Sequence, residues 1–362
     1  MTPGSWWGHV TTYRGIVETL KQGGAPARAL AIADSRALVR ALFLASAVSS
    51  GVLEHLGDGP TLAEVVRRTG CRRPERMEAW LAVGTDLGEL GCAGGRYRVR
   101  GRRARALSRG DGLLLAHYRS MLEYQVGPYA DLAHLLDQHP GAGRDDLGRY
   151  ADDIARVSLA AAPFVAALVR QTVLETRPAR VLDIGCGSGA YSRLVLETSA
   201  SAEVDGVDLA PGVVEAARQE LAAAGLGSRA RLHAGDIRPW LRQRQSGAPF
   251  DLVLLLNNIY YFERSQRAAL YQEIRAVLAD RGQLLVVSMT APGSVAAAHL
   301  NFMLVCQEGA ASLPGRDEVA LDLAAAGYAV VGGTRLVPTE PFFATWATAG
   351  PDAGPPGVSP CS

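Results

Sequence analysis

The sequence predicts an α/β protein: a doubly wound, parallel sheet on the C-terminal side, preceded by a mostly helical module. Three observations carry that prediction. From Arg180 onward, short apolar runs alternate with helical stretches, which implies parallel strands with helices on both faces. One such run leads straight into the turn Gly185-Cys186-Gly187-Ser188-Gly189. Before residue 110, apolar residues recur at helical spacing and end in a glycine-containing hairpin pattern.

Taken in order, residues 26–56 place Leu30, Leu38, Leu42, Val48, Val52 and Leu56 at helical spacing, with Arg28, Asp34, Arg36 and Arg40 between them. Residues 57–60 form a break. Thr61, with Glu64 three residues on, makes a capping-box pattern for a short helix over 61–69. Residues 74–88 read as another helix, and 91–99, with alternating Tyr97 and Val99, as a small β-wing. Helix, helix and hairpin make a winged-helix outline. Residues 111–175 are predicted to be mostly helical, broken at Gly127-Pro128 and at His139-Pro140-Gly141, with a helix over 151–176 bent at Pro163. Strands at 180–184, 203–208, 230–234, 250–256 and 283–288 then alternate with helices at 192–198, 213–224 and 266–278. The expected divisions are a helical, winged-helix-like domain over 1–110, a helical linker over 111–178, a sheet domain over 179–348 and a disordered tail over 349–362. The tail holds four prolines and three glycines.

A chain of 362 residues has room for two domains, and 48% apolar with 20% charged residues is an ordinary globular composition. A net charge of +1 excludes a polybasic nucleic-acid binder or an acidic tail protein for the chain as a whole. Of the 37 basic residues only Lys21 is a lysine, a bias of GC-rich codons first and of function second. Locally, residues 61–110 carry 12 arginines against 5 acidic residues, a net of +7 that leaves −6 elsewhere. This basic wing reads either as a DNA footprint or as a packing and dimerisation module with solvated arginines. No apolar run approaches the ~18 residues of a membrane helix, and residues 1–13 show no secretory signal pattern. The five cysteines are scattered without a Cys-x-x-Cys pair, which argues against a disulfide framework or zinc site and points to a reducing cytoplasm.

The chemistry concentrates at residues 181–190. An apolar strand enters three glycines and a helix follows, as required where backbone turns tightly, lets a ligand approach and aims helix amides at it. Gly185, Gly187 and Ala190 alone also satisfy a dinucleotide-binding pattern. Further features separate the readings. Asp183 stands two before the first glycine. The next strand ends at Asp208, where a carboxylate can accept both hydroxyls of a ribose. Asp236 follows the third strand and can accept from an exocyclic amine. Phe250-Asp251-Leu252-Val253-Leu254-Leu255-Leu256 makes the fourth strand.

This series resembles the class I S-adenosylmethionine-dependent methyltransferases over residues 180–290. The resemblance implies a Rossmann-like sheet with S-adenosylmethionine as cofactor and S-adenosylhomocysteine as product. It implies Asp183, Gly185, Gly187 and Gly189 at the methionine end, Asp208 at the ribose, Asp236 at the adenine, and Leu209, Ile237 and Asn257 as further cofactor contacts. Cys186, inside the loop, reads as a small filler rather than a nucleophile. The wider layout is similar to the small-molecule O-methyltransferases of plant and bacterial secondary metabolism, whose N-terminal module drives dimerisation and does not bind DNA. That implies a homodimer and a small-molecule acceptor, without nucleic acid or membrane as partner.

The departure is at the acceptor side. The family carries a histidine base just after the fourth strand, and ungapped alignment puts Tyr260 there, within Asn257-Asn258-Ile259-Tyr260-Tyr261. A tyrosine with a pKa of ~10 is a poor base at neutral pH. Either another group serves, His299 being the candidate, or the acceptor is a carboxylate, an amine or an enolisable or prenyl carbon that needs no strong base, or the chain binds the cofactor for another purpose. His117, Glu123, Tyr124, Tyr261 and Met303 are the expected acceptor-pocket residues, with Tyr118 beside them. No cluster of metal-ligand spacing is present, and no metal is expected. Two other classes stay open: a nicotinamide-dependent oxidoreductase on the same loop, and a non-enzymatic regulator whose basic wing contacts DNA.

Overall fold

The computed structural model describes residues 24–137 and 161–350. His139-Pro140-Gly141, residues 151–160 and residues 351–362 of the expected tail lie outside them. The chain divides into two compact units between Val126 and Gly127, so the expected linker falls on both sides of the division.

In the first unit a helix runs over Ala25–Ser50, with proline in its first turn and Gly51 closing it at φ 66°. Only its C-terminal half enters the core: Phe43, Leu44, Ala45 and Ala47 are buried against Val52, Leu53, Leu56, Val65 and Leu81. Leu30, Ile32 and Leu38 remain exposed. Helix Leu62–Thr69 carries the capping box that the sequence predicts, Thr61 and Glu64 satisfying each other's amides. Helix Pro74–Asp86 follows, then antiparallel strands β1 (Leu90–Ala93) and β2 (Arg96–Val99). Glu89 is 3% exposed. Its carboxylate pairs with Arg40 at 3.6 Å and Arg103 at 3.5 Å and accepts the Ala104 amide.

Gly127-Pro128 does not break the helix. Helix Gly112–Ser120 passes through a π-helical turn at Met121–Gln125 into helix Val126–Ala130. A wider turn just before a proline lets the ladder skip the missing amide, so the chain stays helical. Helix Ala162–Thr176 carries Pro163 in its first turn, where the lost amide costs nothing, and the part of the expected helix before residue 161 lies outside the described residues.

The second unit is built on one seven-stranded sheet in the order β5-β4-β3-β6-β7-β9-β8. Its strands are β3 (Arg180–Ile184), β4 (Glu203–Asp208), β5 (Ala230–Ala234), β6 (Phe250–Leu256), β7 (Leu278–Met289), β8 (Ala329–Arg335) and β9 (Phe342–Thr348). β3 to β7 are parallel, as predicted. β9 runs antiparallel to β7 and to β8, which the sequence reading did not anticipate. The reason is the short connection after β8: too few residues lie between the strands for a crossover. Both faces are covered. Leu182, Ile184, Val253 and Leu255 pack with Ile237, Leu241, Leu270 and Ile274 on one side. Val181, Leu252 and Leu254 pack with Val165, Val169, Val195 and Leu221 on the other. Alternation along each strand sends neighbours to opposite faces, and a sheet buried on both sides reads as the continuous apolar runs of β3 and β6.

Candidate active site

The strand order places β4 on one side of β3 and β6 on the other, so connections diverge at the carboxyl end of β3, where ligands bind in open α/β sheets. The glycine loop sits at that point. Gly185, Gly187 and Gly189 have φ of 67°, 52° and 73°, the left-handed region that side chains disfavour. At Gly185 a Cβ would also collide with the Asn258 carboxamide, and at Gly187 a Cβ would meet nothing within 4 Å. The first glycine is therefore set by packing and backbone, the second by backbone under open space. Gly185 and Cys186 donate their amides to Val207 O at 2.7 and 3.2 Å, tying the loop to β4. Helix Ala190–Thr198 begins directly after the loop, and no side chain caps it.

Asp208, half-buried at the end of β4, accepts Gly187 N–H at 2.9 Å on Oδ2 and Ala210 N–H at 3.0 Å on Oδ1. Each oxygen keeps acceptor capacity for one more donor, as a ribose diol requires. Its charge also acts on its neighbours. Asp183, 1% exposed, is pushed up to about 6, chiefly by burial, with Asp208 adding and the Ser192 hydroxyl, donating at 2.7 Å, opposing. Burial likewise pushes the Cys186 thiol up, with Asp183 and Asp208 contributing, which suits the small filler expected there. Tyr261, 36% exposed, is pushed up to about 12 by burial of its phenol and by Asp208. Asp183, the loop, Asp208 and Tyr261 are thus brought together.

Asp236 caps helix Ile237–Arg244 through Arg238 N–H, and both its oxygens also accept from the Arg238 guanidinium, which holds the carboxyl below its usual range. Ile237 is buried and Leu209 is 71% exposed. Asn257 adopts φ 58°, donates its amide to Val287 O at 2.8 Å, and has a buried Oδ1 with no hydrogen-bond partner. Asn258, which the sequence reading passed over, donates from Nδ2 to Ile184 O and packs its side chain under Gly185. Its only sequence signal was adjacency to Asn257.

On the acceptor side, Tyr260 is buried, its carbonyl accepts Ala311 N–H at 2.7 Å, and its ring meets Tyr261 edge-on. His299, on helix Val295–Val305, shares a 2.8 Å hydrogen bond between Nδ1 and the Tyr129 hydroxyl and stacks on that ring, while burial lowers its pKa. Tyr129 also meets Phe302, at 4.7 Å between centroids. Met303 is buried at 2% exposure. His117, Glu123 and Tyr124 belong to the first unit, where His117 is half-buried with a lowered pKa, Glu123 exposed and Tyr124 buried.

The donor set fits an S-adenosylmethionine-type ligand: uncapped helix amides for a carboxylate, open space at Gly187, and an acceptor pair at Asp208. Comparison with known proteins agrees. Residues 181–282 match the methyltransferase domain family. Trans-aconitate 2-methyltransferase of Streptomyces avermitilis is 33% identical over 106 residues, covering 29% of this chain and 36% of that protein. The matches span 36%, 46% and 39% of the lengths of three curated relatives, so about a third to a half of each. Among solved structures, an O-methyltransferase family protein from Burkholderia thailandensis aligns with a TM-score of 0.74 at 18% identity, over 91% of this chain and 99% of that one. Mitomycin 7-O-methyltransferase aligns with a TM-score of 0.70 at 20% identity, over 90% and 99%. Across residues 181–282, within a Rossmann-like sheet, the chain carries a class I, S-adenosylmethionine-dependent methyltransferase domain.

Proposed function

We propose that the protein transfers the methyl group of S-adenosylmethionine to a small-molecule acceptor of secondary metabolism, oxygen first among acceptor atoms, as a cytoplasmic homodimer. The observation that carries this reading is the loop of left-handed glycines closed by Asp208 at the end of β4. When bound, the cofactor supplies an electrophilic methyl group on a sulfonium. The chain's own task is then positioning, because in-line displacement gains most from a fixed approach. The loop amides bind the carboxylate end, Asp208 the ribose, and Asp236 with Ile237, Leu209 and Asn257 the remainder. Tyr260 and Tyr261 form a wall on the acceptor side.

His299 is the proposed proton acceptor for a hydroxyl substrate: its lowered pKa keeps the imidazole neutral at neutral pH, the form that accepts a proton. Tyr260 in place of a histidine supports a second reading, an acceptor that is already a carboxylate or an enolisable carbon. A relative named for aconitate, a polycarboxylate, supports the same reading. Exposed Leu30, Ile32 and Leu38 on the first helix support a partner copy there. No helix among the described residues is long and apolar enough to cross a membrane.

Calorimetric titration with S-adenosylhomocysteine and, separately, NADH tests the proposal. Saturable binding of the first alone is expected. Binding of NADH alone would replace this reading with a nicotinamide enzyme, and salt-dependent retention of duplex DNA would favour the regulator.

A further inference from the structure

A second constellation of charge sits on the same sheet, toward its amino-terminal edge and away from the glycine loop. Asp205, third in β4 and 3% exposed, accepts Arg180 Nη2 and Arg244 Nη2 on Oδ2, both at 3.3 Å, and Arg231 Nε on Oδ1 at 3.2 Å. His233 Nε2 lies 3.5 Å from the same Oδ1. Arg231 also donates to Glu203 at 2.6 Å. The guanidiniums rest on aromatic rings: Arg180 over Phe250 at 5.2 Å, Arg244 over Trp240 at 5.6 Å and over Phe250 at 5.8 Å.

Holding helix Ile237–Arg244 to the strands needs one guanidinium on Asp205. Three are present, with an imidazole, and their bonds to one carboxylate are all long. Arg180 Nε, Arg244 Nε and His233 Nε2 are buried without a hydrogen-bond partner. Nearby, Arg229 donates only to the carbonyls of Leu196, Ser199 and Ala202, and Asp251 Oδ2 is taken by the amides of Ala179 and Arg180. In the cluster itself three arginines, Arg180, Arg231 and Arg244, share two carboxylates, Asp205 and Glu203. The Arg180, Arg244 and Arg231 side chains are 25%, 33% and 47% exposed, so a ligand reaches their terminal Nη groups and not the buried Nε atoms of Arg180 and Arg244.

We propose that this edge binds a phosphate-type oxyanion, held end-on by the terminal Nη groups of Arg231 and Arg244, with Arg180 balancing its charge. Converging guanidiniums with spare Nη donors match tetrahedral oxyanions, and ring contacts hold the Arg180 and Arg244 planes in place. The site shares no residue with the methyl-donor site and does not depend on the acceptor.

The test is titration of the full chain with inorganic phosphate and, separately, glucose 6-phosphate, in chloride buffer free of other oxyanions. Saturable binding of one or both is expected, with the His233 ring resonance moving in step. Tighter binding of the ester identifies a metabolite as occupant, and equal binding identifies free phosphate. Arg231→Gln, which leaves the Arg180 and Arg244 pairs with Asp205 standing, is expected to weaken binding at least tenfold while S-adenosylhomocysteine affinity stays unchanged, which also reports an intact fold. Absence of saturable binding overturns the proposal. So does phosphate binding that survives Arg231→Gln and is displaced by S-adenosylhomocysteine, which would put the anion in the glycine loop.

Discussion

Asp208 accepts the amide hydrogen of Gly187 at 2.9 Å, so one carboxylate at the end of β4 fixes the turn at the end of β3. Replacing it therefore removes a ligand contact and loosens the loop together. Asp208→Ala is expected to lower S-adenosylhomocysteine affinity by roughly a hundredfold, about 3 kcal/mol for charge-assisted bonds. Asp208→Asn, which keeps one acceptor oxygen, should lose less. Calorimetry on both variants decides, and unchanged affinity in Asp208→Ala would refute the ribose assignment.

The loop glycines differ in what they tolerate. Gly187→Ala carries only the cost of a left-handed backbone, about 1 kcal/mol, because nothing lies within 4 Å of the new Cβ. Gly185→Ala adds an overlap with Asn258 and is expected to lower Tm distinctly further. Equal Tm losses in the two variants would contradict that packing.

Asp183 makes stability depend on pH. Its carboxyl is raised from 3.8 to about 6 in the folded chain, mainly by burial. The folded state therefore holds this proton more tightly than the unfolded chain does. Stability falls as pH rises from 3.8 to about 6, and the full penalty, about 3 kcal/mol, persists above that. Asp183→Asn should be more stable than the parent at pH 8 and equal to it near pH 3.5. Urea unfolding at both values checks the sign.

His299 is expected to titrate below the ordinary imidazole value of 6.5, because burial disfavours its charged form. Its ring resonance, followed by NMR from pH 4 to 8, should show this. A midpoint at or above 6.5 would contradict the burial of this ring. Tyr129→Phe, which removes the 2.8 Å hydrogen bond, should shift that midpoint or the tautomer balance.

The exposed leucine and isoleucine side chains of the first helix predict self-association. Leu30, Ile32 and Leu38 are 67%, 72% and 58% exposed, with Ile32 on the far side of the helix from Leu30. Leu30→Glu with Ile32→Glu should convert a dimer to a monomer in sedimentation equilibrium. A parent chain that is monomeric at micromolar concentration would remove the dimer from the proposal.

Much of the sheet domain was legible because its strands are buried on both faces, so continuous apolar runs such as 250–256 stand out against their flanks. The glycine loop was legible because backbone conformation leaves a residue-type signature. What escaped shows only in the folded chain. Asn258 gained its place only by packing under Gly185, 73 positions away, and Arg238 reveals its hold on Asp236 only once the helix is formed. The helical passage through Gly127-Pro128 was missed because a π turn upstream absorbs the proline, and no residue pattern announces such a turn. The antiparallel pair β8 and β9 was missed because glycines at 332 and 333 blur the apolar alternation.

That pair also settles how the sheet ends. β8 is an outer strand, mostly exposed, and its register shifts between Val330 and Gly332. A flat border of unpaired amides would recruit strands from other chains. The shift and its neighbouring glycines bend the border, and Arg335, over the Phe343 ring, puts a charge at its end. The register shift and the charge at the border's end disfavour growth of the sheet into a neighbour on this flank.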